Sequence, residues 1–80
     1  MKTLEPGKFY NDEWGHYILC RGREGSKFNI VTFGEDPAGV PVSVGLTIDE
    51  SNSYLYNLIV DPLTLMRLRE RAKAIGVLPK

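Results

Sequence analysis

The sequence predicts an α+β domain: an antiparallel sheet of about four strands with one C-terminal α-helix packed on it, in the order β-β-β-β-α. Three observations carry this. Val40–Ile48 alternates apolar and small residues with the period of two that marks a strand. Two apolar runs, His16–Arg21 and Lys27–Phe33, are joined by the short turn-forming loop Gly22-Arg23-Glu24-Gly25-Ser26, as in a hairpin. Finally, a helical pattern opens at Asp61-Pro62 and closes at Gly76.

The helix has the plainest local chemistry. Proline has no N–H to lose and a φ already near the helical value, so it suits the first helical position. It also drives the preceding residue towards extended geometry, where aspartate is among the best N-caps. Thr64, Leu65, Leu68, Ala72 and Ile75 then fall on one face at 3.6 residues per turn. Arg71 and Lys73 occupy the last turn, where cations are favoured, and Gly76 can take a left-handed C-cap. The expected helix is Pro62 to Ile75.

Ahead of it, residues 1–7 read as a loose arm with a turn at Pro6-Gly7, and Phe9-Tyr10 as a short strand or plug. Gly34–Gly39 is dense in turn formers. The alternation of Val40–Ile48 places Val40, Val42, Val44, Leu46 and Ile48 in the core, and Pro41 suits a strand start or an edge. Tyr54–Val60 reads as the fourth strand. A helical reading competes there, with Asp49 or Ser51 as its cap.

Size and charge bound the function. Eighty residues make one small domain with a modest core. A single cysteine, Cys20, rules out an internal disulfide and fits a reducing compartment. No apolar run reaches membrane-spanning length and the first ten residues lack the apolar centre of a signal peptide, so the expected location is cytoplasmic. Ten basic residues balance ten acidic ones, which argues against a polyelectrolyte as the main partner.

Catalytic and metal chemistry find little to stand on. His16 and Cys20, four apart on a strand, lie about 13 Å from one another, too far for a dyad. One histidine and one cysteine without a spaced cluster do not make a zinc site. The acidic pairs Asp12-Glu13, Glu35-Asp36 and Asp49-Glu50 sit in expected turns. Gly22-Arg23-Glu24-Gly25 has the spacing of a KH-type GXXG loop, but a strand follows where a helix is needed. The expectation is a non-enzyme with no cofactor and no metal.

Geometry gives the sharpest inference. A 14-residue helix is about 21 Å long and about 10 Å wide, whereas four strands span about 19 Å across. One helix cannot cover such a sheet, yet its strands are apolar on both faces. Unless the sheet curls into a small barrel, apolar surface is left over, and leftover patches mark interfaces. The expected function is therefore protein binding, to another protein or to a second copy. The corresponding class is the small accessory regulators and inhibitors, phage and mobile-element proteins included. The candidate interface residues are Leu63, Met66, Arg67, Arg69 and Glu70 on the helix, with Tyr54, Tyr56 and Phe33 from the sheet. The alternative is a nucleic-acid-binding module using Arg21, Arg23 and Lys27 of the hairpin with Arg67 and Arg71 of the helix.

Overall fold

The computed structural model describes residues 3–77. Its elements are β1 (Phe9–Asn11), β2 (Tyr17–Glu24), β3 (Lys27–Glu35), β4 (Pro41–Asp49), a 3₁₀ helix (Glu50–Leu55), β5 (Asn57–Leu58) and α1 (Pro62–Ile75). The strands form one antiparallel sheet in the order β4-β3-β2-β1-β5. The first four strands are a meander. The chain then leaves β4 at one edge and returns to pair β5 with β1 at the other. Among the described residues the sheet is open, with β4 and β5 as its edges, and does not close into a barrel.

Turn chemistry sets the meander. Glu24 pairs with Lys27 across a two-residue turn in which Gly25 has φ 59°, a conformation that side-chain-bearing residues rarely adopt. Between β3 and β4, one carboxylate oxygen of Asp36 accepts the N–H groups of Ala38 and Val40, both at 2.9 Å. A bulge between Cys20 and Gly22 brings Arg23 opposite Phe28, with its guanidinium carbon 5.2 Å from the ring centroid.

Two cores form, one on each face of β2 and β3. On the helix side, Phe9, Leu19, Val31 and Phe33 pack with Leu68 and Ala72, flanked by Ile59, Leu65, Ile75 and Val77. On the other side, Ile18, Cys20, Phe28 and Ile30 pack with Leu4 and Tyr10, flanked by Ile48 and Tyr56. That second face is roofed by the N-terminal segment and the residues around the 3₁₀ helix rather than by α1.

The helix ends follow the sequence reading. An Asp61 carboxylate oxygen accepts the Thr64 N–H at 2.9 Å and the Thr64 hydroxyl at 2.7 Å. Gly76, at φ 83°, donates to the Ala72 and Lys73 carbonyls, while Val77 N–H reaches Ala72. This is a Schellman closure with its apolar residue, Val77, against the helix-side core.

Three expectations need correction. Residues 3–7 are docked rather than loose: Leu4 is buried, Glu5 N–H donates to the Tyr10 hydroxyl at 2.8 Å, and Gly7 N–H donates to the Cys20 carbonyl at 2.9 Å. Residues 1–2 lie outside the described residues. Tyr54–Val60 is not a full strand. Asp49 accepts the Ser51 N–H at 3.0 Å and caps a 3₁₀ helix; Ser53, wholly buried, closes it by donating to the Glu50 carbonyl at 2.8 Å. Only Asn57–Leu58 joins the sheet. The third correction is the most consequential: the apolar side of β4 is not in the core. Val40, Val42, Val44 and Leu46 are 54%, 39%, 53% and 50% exposed, and Ile48 alone is half-buried against it.

Candidate functional site

The uncovered surface has a simple origin. Paired residues of an antiparallel ladder point to the same face, and Phe28, Ile30 and Thr32 pair with Ile48, Leu46 and Val44. The apolar row of β4 therefore belongs to the face opposite α1. There, cover from Leu4, Tyr10 and Tyr56 reaches the central strands but stops short of β4 beyond Ile48. An open trough of about 390 Å³ results. Ile18 and Ile30 contribute from the central strands, Val42, Val44 and Leu46 from β4, Tyr56 from beyond the 3₁₀ helix, and Asp12 and His16 from the β1–β2 turn.

The polar end of the trough is well tied. One Asp12 carboxylate oxygen accepts the N–H groups of Trp14 and His16 at 2.9 and 2.8 Å; the other lies 3.0 Å from His16 Nδ1. Partial burial pushes the Asp12 carboxyl up, but these bonds outweigh it and hold it below the usual range. Burial, reinforced by the Asp12 charge, pushes the Tyr56 hydroxyl up. Trp14 projects from this turn, 68% exposed. Among the described residues, no three His, Cys, Asp or Glu side chains gather in a way that could hold a metal ion. Cys20 is fully buried and burial pushes its thiol up, which makes it a poor nucleophile.

The trough borders an open strand edge. The nine residues of β4 extend for about 30 Å, close to the 35 Å longest dimension of the molecule. Val40 to Ile48 carries no charge, and the β3–β4 register has no bulge. Folded proteins usually blunt such an edge with charge, proline, bulges or brevity. Here only Pro41 and Asp49, at the two ends of the strand, do so. The opposite edge, β5, is two residues long and blunt by brevity.

The residues expected at an interface are dispersed. Leu63 and Met66 are each 51% exposed on the outer side of α1, and Leu58 and Val60 are exposed just ahead of it. Arg69 borders a groove with Leu58 and Val60 and, on its other side, one with Met66. Arg67 and Arg71 lie on the other flank, beside Tyr17. Glu70 is exposed, and among the described residues no ion pair joins it to Arg67 or Lys73. Tyr54 is exposed on the 3₁₀ helix, whereas Tyr56 is half-buried in the trough. Phe33, at 6% exposure, packs its ring under α1, 6.1 Å from that of Phe9, so its side chain belongs to the helix-side core, although the residue also lines the trough.

The five cations of the nucleic-acid alternative do not share a face. The bulge turns Arg23 away from α1; its Nε donates to the Gly25 carbonyl at 2.7 Å and its guanidinium pairs with Glu50. Lys27 neighbours Asp49 across the ladder, and Arg21 sits by Val77 at the helix end. The Gly22–Gly25 stretch leads into β3, so the KH-like spacing has no helix behind it.

The β4 surface was not among the candidates drawn from the sequence. Its signals were present: no charge over nine residues, a proline at the strand start, and too little helix to cover the sheet. No helix among the described residues is long and apolar enough to cross a membrane. Set against known protein families, curated proteins and solved structures, the chain matches no family model, no curated protein and no solved structure.

Proposed function

We propose that this chain is a protein-binding module, of the accessory regulator or inhibitor kind rather than an enzyme, and that its working surface is the open edge of β4 with the apolar trough beside it. One observation carries the reading: a nine-residue edge strand, uncharged from Val40 to Ile48, with Val42, Val44 and Leu46 exposed in a row. Such an edge pairs readily with an added strand, whose backbone supplies affinity while alternate side chains enter the trough. The exposed Leu58, Val60, Leu63 and Met66 add further apolar contact on the same reading.

The test is capture of binding partners by the wild-type chain against Val44→Lys. Val44 is half exposed, so lysine there leaves the fold intact while placing a charge in the apolar row. Partners held by wild type and lost from Val44→Lys support the reading; partners held equally by both remove β4 from it.

Nucleic-acid binding through Arg21, Arg23, Lys27, Arg67 and Arg71 has less support, because Arg23 is engaged with Glu50 on the face away from α1. Affinity for mixed oligonucleotides that falls steeply with salt would favour it instead.

A further inference from the structure

We propose that the strand received by β4 is β4 of a second copy, paired antiparallel about a two-fold axis at Gly45. This rests on the reading of β4 as a strand-accepting edge and names its occupant. Two hydrogen bonds at the ends of the β3–β4 ladder fix which backbone groups face outward. Asp36 N–H donates to the Val40 carbonyl at 3.0 Å, and Glu50 N–H to the Ser26 carbonyl at 2.8 Å. In an antiparallel ladder the bonded pairs alternate, and the register between these two runs without interruption. Val42, Val44, Leu46 and Ile48 therefore turn their backbone groups inward to β3. Pro41, Ser43, Gly45, Thr47 and Asp49 turn theirs to the open edge.

A second β4 joins this edge only if outward residues meet outward residues. A two-fold axis at Gly45 does this along the full strand. Gly45 meets its own copy, Ser43 meets Thr47, and Pro41 meets Asp49. Proline has no N–H to offer, and at this position it leaves only its carbonyl to be satisfied. The outward N–H groups of Ser43, Gly45, Thr47 and Asp49 each find a carbonyl on the partner. Side chains agree with the backbone. On the trough face Val44 lies against Leu46 of the other copy and Val42 against Ile48, so the exposed apolar rows join across the seam. On the helix face Ser43 opposes Thr47, and the space where a Gly45 side chain would stand is empty.

Charge selects the same mate. A neutral strand is matched best by another neutral strand, and the chain's own β4 is neutral from Val42 to Ile48. Its one charged residue, Asp49, falls opposite Pro41 and about 27 Å from Asp49 of the other copy, too far to repel it appreciably. The two five-stranded sheets become one of ten.

Single-cysteine cross-linking tests the register, with light scattering for mass. Cys20 is fully buried, which leaves an introduced thiol as the reactive one. Gly45→Cys meets no atom within 4 Å and needs no positive φ. Bonded antiparallel pairs stand about 5.5 Å apart at Cα, inside the range a disulfide spans. The expected results are a species of twice 9.0 kDa and a disulfide dimer of Gly45→Cys under mild oxidation. Ser43→Cys and Thr47→Cys should stay reduced alone and cross-link when mixed, and Val44→Lys should weaken dimerisation at least tenfold with unchanged circular dichroism. A 9.0 kDa monomer at high micromolar concentration overturns the proposal, as does a dimer in which Gly45→Cys stays reduced. Such a monomer that still loses its partners on Val44→Lys refutes self-pairing alone; one with no β4-dependent partner refutes the strand-accepting edge as well.

Discussion

Truncation of Leu68 tests whether α1 is held by the core it covers. Leu68 is 4% exposed and packs among Phe9, Leu19, Val31, Phe33 and Ala72. Leu68→Ala removes three carbon atoms, worth about 2.4 kcal/mol at about 0.8 kcal/mol each. A cavity penalty adds to this, because Ala72 in the next turn is already small and fully buried, and the helix cannot settle closer to the sheet. The expected loss is about 3 kcal/mol, within the usual range of about 2–5. An 80-residue domain has about 4–12 kcal/mol in total, so the variant should melt about 12–24 °C lower. Leu63→Ala, at a position 51% exposed on the same helix, should cost no more than about 0.5 kcal/mol. Urea unfolding followed by far-ultraviolet circular dichroism reads both, with an unchanged denaturant slope showing that the unfolding transition is the same. A Leu68→Ala loss below about 1 kcal/mol, or equal losses in the two variants, would refute this assignment of the helix faces.

Other expectations follow from single contacts. Tyr10→Phe removes the acceptor of the Glu5 N–H and should cost about 1 kcal/mol; faster amide exchange at Glu5 and Gly7 would show the N-terminal segment lifting, and unchanged exchange would mean that the hydroxyl does not hold it. Gly76→Ala forces a Cβ into φ 83° and should cost about 1–2 kcal/mol by urea unfolding; a neutral effect would show that the Schellman closure can relax. Asp12, Asp49 and Asp61 all have carboxyls held below their ordinary values. For Asp61 the Thr64 hydroxyl and N–H are the cause; for Asp49 it is Ser51; for Asp12 the bonds from His16 and Trp14 overcome a burial effect of opposite sign. A depressed folded-state value stabilises above the unfolded value and loses that contribution as pH falls through the folded one. Stability should therefore drop as pH falls below about 4, and the triple Asn variant should show a shallower acid limb. An identical limb would exclude these three groups.

Much of the architecture was legible because its signals are local. Asp61-Pro62 and Gly76 specify a cap, a first turn and a left-handed closure from their own backbone chemistry, and α1 runs from Pro62 to Ile75 as expected. The apolar residues on both faces of β2 and β3 fill the two cores. The segment after β4 was harder to read. Its aromatic content suits a strand, but Asp49 captures the Ser51 N–H and Ser53 the Glu50 carbonyl, and those short-range bonds win over Glu50–Leu55. The exposed face of β4 was misread for a different reason. Alternation shows that Val42, Val44 and Leu46 share a side, but not whether anything covers it. Coverage depends on where Leu4 and Tyr56 dock, which is long-range information. Surplus apolar surface follows from the widths of one helix and a sheet of this size. That β4 holds this surface, and that the Phe33 ring lies beneath the helix, depends on how the elements dock.

Amide exchange at Ser43, Gly45 and Thr47 shows whether β4 is an edge built to be paired. In isolated chains these outward amides should exchange far faster than those of Val44 and Leu46, which bond to β3. At concentrations where the mass doubles, all five should be protected to a similar degree, and Val44→Lys should return the outward three to fast exchange. Outward amides that remain unprotected at every concentration and in the presence of every captured partner would mean that no strand pairs with β4.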